Sequence, residues 1–307
     1  MRVGPLVLLV ALGACRDIEE PPPAAVHPDA AMIPHLRVAT FNVRRFFDTV
    51  CDSGTCGDGA YEELPTPEEF DARAVQIAQA IRLMDTDVIA VEEVESQACL
   101  DALIANLGDV VPYGVLGETG FAASVDVGIL SRTPIETAVG HQEALALPDG
   151  RVTSFARELL EVHTHASDGT NLIMFAAHFK SKSSDDPARR LAEAQASARI
   201  INDVAVQSSD ALVILGGDLN DTPGSPPLNA LVVDGQLTRV ADDIPVDAQA
   251  TYRYHDHGEV IDHLILAPTA AASRRIPLSS QAWRPGGGGG WGGSDHYALS
   301  SDFALLH

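Results

Sequence analysis

From Leu36 onward the chain alternates short β-branched and apolar runs with longer stretches of helical period, the pattern of a layered α/β domain. Residues 36–42, 88–92, 127–130, 159–163, 172–178, 211–215, 260–266 and 297–305 predict buried or half-buried strands. Between them, Thr66-Pro67-Glu68-Glu69 opens a predicted helix to about residue 84. Proline and acidic side chains suit a first helical turn, where free N–H groups carry partial positive charge. Asp186-Pro187 opens a second helix to about residue 206, and a further helical stretch follows Glu95.

Polar residues recur at the strand ends: Asn42 after the first run, Glu93 after the second, His178 closing the fifth, Asp218 after the sixth, and Asp295-His296 before the last. A sheet edge displaying carboxylates, an amide and imidazoles holds them rigidly enough for metal binding and proton transfer.

The N-terminus departs from this pattern. Arg2 precedes an apolar run, 3–12, that is too short to span a bilayer but suits a signal-peptide core. Its end, Leu12-Gly13-Ala14-Cys15, resembles the bacterial lipobox, in which cleavage before the cysteine leaves that residue for lipidation. The expected organisation is a lipoprotein signal peptide (1–14), a Pro/Ala-rich tether (15–35) containing Pro21-Pro22-Pro23, and a catalytic domain (36–307). This describes an exported bacterial lipoprotein, membrane-anchored at the outer membrane or cell surface; an ordinary signal peptide with an incidental Cys15 is the alternative. Cys51 and Cys56 flank Asp52-Ser53-Gly54-Thr55 and are placed to close a small disulfide in an oxidising compartment. Cys99 is then a free thiol, read as buried and inert.

Composition narrows the partners. The 307 residues include 43 Asp+Glu against 20 Lys+Arg, a formal charge of -23, which argues against gripping a polyanion through bulk electrostatics. Contact with nucleic acid must then be local or cation-assisted. Lys180, Lys182, Arg189 and Arg190 form a local basic cluster, read equally as phosphate contacts or a solvated loop. The chain is taken as a monomer.

Gly216-Gly217-Asp218-Leu219-Asn220 follows a strand, and its carboxylate and amide can hold a hard cation and orient water or a phosphoryl oxygen; a capped turn is the plain alternative. In Ile261-Asp262-His263, an acid opening an apolar strand needs a partner, either His296 or His263. Gly293-Ser294-Asp295-His296 places a carboxylate and an imidazole at a loop–strand junction. The chain lacks G-x-S-x-G, H-E-x-x-H, C-x-x-C and the P-loop pattern, which removes the commonest serine hydrolase, zincin, thiol-redox and nucleotide-phosphate readings. The glycine-rich segment 286–293 reads as a flexible loop, and 252–257 as a polar loop that could stack on a base.

Thr40-Phe41-Asn42-Val43, Val91-Glu92-Glu93-Val94, Ala177-His178-Phe179-Lys180-Ser181-Lys182, Gly217-Asp218-Leu219-Asn220, Ile261-Asp262-His263 and Ser294-Asp295-His296 occur in one order. That series resembles the endonuclease/exonuclease/phosphatase superfamily, over about residue 36 to the C-terminus. The resemblance implies a deoxyribonuclease I-like fold, a four-layer α/β/β/α sandwich with two packed mixed sheets. It also implies that Glu93, Asn42 and Asp295 are ligands of Mg²⁺, with Mn²⁺ or Ca²⁺ as alternatives. His296 is implied as general base with a pKa near neutrality, Asp262 as its orienting carboxylate, Asp218 and Asn220 as positioning water and phosphoryl oxygens, and His178 as a donor to phosphate. Arg157 and Lys180 are the candidate substrate-phosphate contacts. Two departures stand out: Glu92 where many relatives have Gln, and the insert 51–61 after the Asn42 strand.

The expected activity is an exported, metal-dependent phosphoester hydrolase, a nuclease or general phosphodiesterase acting on a phosphate ester such as DNA or RNA. A phosphomonoesterase or sphingomyelinase-like enzyme is the enzymatic alternative, and a non-catalytic binding module the alternative of another class.

Overall fold

The computed structural model describes residues 33–57, 59–255, 257–284 and 290–306. The signal peptide, Cys15 and nearly all of the tether lie outside the described residues, so those readings remain expectations. No helix among the described residues is long and apolar enough to cross a membrane.

Two mixed six-stranded sheets pack face to face. The first holds β1 (His35–Phe46), β2 (Val88–Val94), β3 (Tyr113–Gly117), β4 (Asp126–Ser131) and, from the chain's end, β10 (Leu299–Ala304). Its order is Gln281–Ala282, β10, β1, β2, β4, β3. The second runs Thr238–Arg239, β9 (Asp262–Leu266), β8 (Leu212–Asp218), β7 (Asn171–His178), β6 (Leu159–His165), β5 (Thr137–His141). In each sheet only the central pair, β1 with β2 and β7 with β8, is parallel.

Strand periodicity sets three layers of core. Val38, Val88, Ala90, Val127 and Ile129 meet Val162, Met174, Ala176, Ile214 and Leu264 between the sheets. On the far face of the first sheet, Ala39, Phe41, Ile89 and Val91 pack on helices α1 (Pro67–Met84) and α2 (Gln97–Leu107). Ile173, Phe175, Val213 and Leu215 of the second sheet pack on α3 (Pro187–Gln207). Strands covered on both faces read as continuous apolar runs, which is why the central ones were visible in sequence. The four-layer α/β/β/α sandwich is therefore the observed architecture.

Helix starts follow their capping chemistry. Thr66 accepts from Glu69 N while Glu69 accepts from Thr66 N, a reciprocal capping box ahead of Pro67. Asp186 accepts from Arg189 N ahead of Pro187. The insert is closed by the Cys51–Cys56 disulfide, and buried Glu62 accepts from the backbone of Asp52 and Ser53 at 2.6 and 2.8 Å.

Two loop readings change. Segment 252–257 belongs to a small hairpin, Tyr252–Tyr254 paired with His257–Glu259. Of the glycine-rich segment, 285–289 lie outside the described residues, but Gly290, Gly292 and Gly293 all have positive φ around a buried Trp291. A Cβ on Gly290 would fall 1.8 Å from the Ser294 oxygen, so glycine permits the tight turn that delivers Asp295-His296. Trp291 packs between Phe41 and Trp283, anchoring that turn where the sequence suggested only flexibility.

Candidate active site

Strand register assembles the site in two rows. In the second sheet, Asp218 ends β8 directly opposite His178 of β7 on one side and Asp262 of β9 on the other. In the first sheet, Asn42 of β1 is paired with Glu92 of β2. Asn42 Nδ2 bridges the rows, donating to Asp218 Oδ2 at 3.1 Å and to Glu93 Oε1 at 3.2 Å.

Both first-sheet strands break register here. Glu93 has φ 67°, and the β2–β4 register shifts between Glu92 and Val94; Arg44 and Arg45 have φ 57° and 41° in the matching irregularity of β1. Left-handed backbone at non-glycine residues is costly and accumulates where a side chain must be re-aimed. Here it has a visible use. Arg44 N donates to Asn42 Oδ1 at 2.9 Å and Arg45 N to Glu93 Oε2 at 2.8 Å, so the bulge fixes both site side chains.

His296 Nδ1 faces Asp262 Oδ2 at 2.9 Å and Oδ1 at 3.2 Å, leaving Nε2 directed to Asp218 Oδ2 at 3.9 Å. The alternative partner of Asp262 is eliminated: His263 Nδ1 meets Arg239 Nε, and its Nε2 meets the Asp221 carbonyl. Asp262 is itself placed by Thr251, whose hydroxyl accepts from Ile261 N and Asp262 N. Ser294 donates to the Asn42 carbonyl at 2.7 Å and accepts from His296 N at 3.0 Å, tying the Asp295-His296 turn to β1. The Tyr252 ring lies 4.8 Å from the His296 ring, centroid to centroid.

The charges are strongly coupled. Burial pulls the His296 imidazole down, but the Asp262 charge and hydrogen bond, with Asp218 and Asp295, push it up to about 10. The expectation of a near-neutral His296 is thus corrected for the metal-free site: three carboxylates stabilise the imidazolium. Burial, followed by the Asp262 charge, raises Asp218 to about 7. His178 is pushed well below the ordinary histidine range by burial and by Arg157, His296 and Lys180. Its Nε2 stands 3.7 Å from Asp218 Oδ2 and 4.0 Å from Glu93 Oε1. Burial and the neighbouring carboxylates hold Glu92 well above the usual range; Thr40 donates to its Oε1 at 2.8 Å.

Other expected site residues lie nearby with their own partners. Asn220, at φ 53°, donates its side-chain amide to the Phe179 carbonyl, and its backbone N–H to Asp218 Oδ1, so it shapes the turn after β8. Asp295 is half-exposed and faces Arg44 at 3.7 Å. Arg157 Nε donates to the Val125 carbonyl, and its charge acts on His178, Lys180 and Tyr61. The Lys180 ammonium donates to the carbonyls of Ser181 and Ser183. The basic cluster is largely engaged in structure: Arg190 pairs with Asp185 and Asp221, Arg189 with Glu193 and two carbonyls, and Lys182 with Glu259.

Glu193 was missed. Buried on α3, it accepts from Ala156 N at 2.6 Å and Lys180 N at 2.8 Å, joining the segments that carry Arg157 and Lys180. A lone carboxylate in the apolar period of that helix was its signal.

Does this donor set suit a divalent cation? The side chains of Asp218 and Asp262 are almost wholly buried, and each offers an oxygen within 4.8 Å of the others and of a His296 nitrogen; Glu93 Oε1 and Asn42 adjoin them. Hard oxygen donors, and buried carboxylates whose mutual repulsion a single imidazolium offsets only in part, fit such an ion.

The Endonuclease/Exonuclease/phosphatase family profile matches residues 39–296. The chain belongs to that family. As a member, the protein is a metal-dependent hydrolase of phosphoester bonds. No curated protein matches it in sequence. Among solved structures, the human Nocturnin catalytic domain with bound sulfate superposes with TM-score 0.61 at 15% identity, covering 89% of this chain and 96% of that one. Zebrafish (D. rerio) TDP2 complexed with single-strand DNA product gives 0.58 at 17% identity, covering 88% and 98%. Sphingomyelinase C from Streptomyces griseocarneus gives 0.57 at 21% identity, covering 88% and 99%. These similarities establish a shared fold for the endonuclease/exonuclease/phosphatase domain described here.

Proposed function

We propose that the protein is an exported phosphodiesterase, a nuclease or general phosphodiesterase, that uses Mg²⁺ and is held to a membrane by a lipid on Cys15. The observation that carries the hydrolytic reading is the Asp262–His296 pair, whose free Nε2 is turned toward the buried Asp218. Glu93, Asn42 and Asp295 are the residues proposed to hold the cation, which when bound neutralises phosphoryl charge. Asp262 fixes the His296 tautomer, and once the carboxylate charge that holds the imidazolium is compensated, Nε2 is deprotonated and takes a proton from water. Asp218, beside both imidazoles, orients that water. His178, kept neutral by its surroundings, donates a hydrogen bond to a phosphoryl oxygen.

Nucleic acid is the first substrate class to try, since a fold neighbour carries a DNA product. The formal charge of -23 favours a second reading, a phospholipid phosphodiester reached from a membrane anchor, because an acidic surface repels an extended polyanion.

The mature protein with Mg²⁺, Mn²⁺ or Ca²⁺ is offered plasmid DNA, RNA, bis-p-nitrophenyl phosphate, p-nitrophenyl phosphate and sphingomyelin, beside His296→Ala and Asp218→Ala. Cleavage of a diester that EDTA and both substitutions abolish is expected. Activity that survives EDTA or His296→Ala overturns the mechanism, and cleavage of the monoester alone overturns the diesterase assignment. Cys15→Ser is expected to release the protein from membranes; unchanged fractionation refutes the anchor.

A further inference from the structure

A second group of ligand-type side chains lies apart from the catalytic rows, under the start of the disulfide insert. Asp48 follows β1, Glu95 follows β2, and Cys99 lies in the first turn of α2; all three are buried, with Glu95 3% exposed. One oxygen from each carboxylate and the Cys99 Sγ lie within 4.8 Å of one another.

The local hydrogen bonds leave one donor atom spare. Asp48 Oδ1 accepts from Val50 N and Oδ2 from Ser96 Oγ, both at 2.7 Å; Glu95 Oε2 accepts from Asp48 N at 2.7 Å. Glu95 Oε1 is buried and has no partner. The charged groups acting most strongly on Glu95 are Asp48, Glu62 and Asp52, all carboxylates, and those acting on the Cys99 thiol are Asp48 and Glu95. An anionic pocket containing an unpartnered oxygen and a thiol is chemically incomplete, since buried carboxylates require compensation.

We propose that Asp48, Glu95 and Cys99 bind a structural zinc ion, separate from the catalytic cation. Thiolate with two carboxylates selects a borderline ion over Mg²⁺ or Ca²⁺, which take oxygen alone. The Cys99 thiol donates to the Phe46 carbonyl at 3.2 Å and accepts from Ser96 Oγ at 3.5 Å, so loss of the thiol proton on binding leaves that carbonyl oxygen beside the ion. Binding converts Cys–SH and Zn²⁺ into a zinc thiolate, the thiol proton leaving to solvent. The ion joins the first residues after β1, the turn after β2 and the start of α2, and so clamps the base of the 51–61 insert. The proposal does not depend on the phosphodiesterase reading.

The test uses the full chain, purified with Zn²⁺ or with Co²⁺ as probe. Expected are one tightly held zinc per chain that Glu93→Gln does not remove, and a near-ultraviolet thiolate-to-cobalt absorption band. Cys99→Ser should abolish the band and Cys15→Ser should leave it; Glu95→Gln should weaken zinc at least tenfold. Because the catalytic residues include no thiol, the band distinguishes the two sites. A wild-type protein without the band, or a band that survives Cys99→Ser, overturns the proposal. Should Cys99→Ser fail to fold, the wild-type band with Cys15→Ser as control decides between the same outcomes.

Discussion

Replacing Asp262 by Asn keeps its shape and removes the charge facing His296 Nδ1. The charge and hydrogen bond of Asp262 are the first two of four influences that raise His296, ahead of Asp218 and Asp295. They are the largest influences that, against opposing burial, lift the imidazole from 6.5 to about 10. Their loss should lower the metal-free pKa by about 2 units, on the order of 3 kcal/mol. The folded-state value is raised, so the pair's stabilisation is fully present below pH 6.5 and fades as pH rises through about 10. In EDTA, the His296 ring proton followed by NMR should titrate near pH 10 in the wild type and about two units lower in Asp262→Asn. Urea unfolding should show the wild type's advantage at pH 6.5 shrinking toward pH 10. With metal restored, kcat should fall about 10²- to 10⁴-fold. A His296 resonance titrating at the same pH in both proteins refutes the electrostatic argument.

Glu93→Gln should weaken Mg²⁺ binding in calorimetry and lower kcat at least about 100-fold while leaving the thermal midpoint nearly unchanged, because Glu93 is held by two hydrogen bonds, from Asn42 and Arg45 N, beside the 4.0 Å approach of His178. Glu193→Ala strands the N–H groups of Ala156 and Lys180 and should cost about 2–5 kcal/mol in urea unfolding. Removing the Cys51–Cys56 bond by a double Ser substitution should cost about 2 kcal/mol, given its separation of 5 residues. Trp291→Ala should cost about 3–5 kcal/mol and lower activity as well, since the same turn carries Asp295-His296; full activity in a destabilised variant would contradict that linkage.

The sequence revealed what burial makes uniform. Strands β2, β7 and β8, covered on both faces, appear as unbroken apolar runs, and their terminal polar residues mark the site. Thr137–His141 and Tyr113–Gly117 are edge strands with mostly part-exposed or exposed side chains, so no apolar run announces them. The identities of Asp262, Asp218 and His296 could be read from their positions, but the coupling that lifts His296 depends on separation across β8 and β9. Likewise, Lys180 and Arg190 look like free cations in one dimension; only the fold supplies the carbonyls and carboxylates that engage them.

The Asn42–Asp218 hydrogen bond joins residues 176 positions apart in different sheets. The proposed catalytic residues are divided between the two sheets, and on that assignment hydrolysis begins only once both have docked. Contacts of such long sequence separation form slowly because the intervening chain must first be ordered. Regain of activity during refolding therefore times sandwich closure, and a chain whose sheets have not yet docked is catalytically silent.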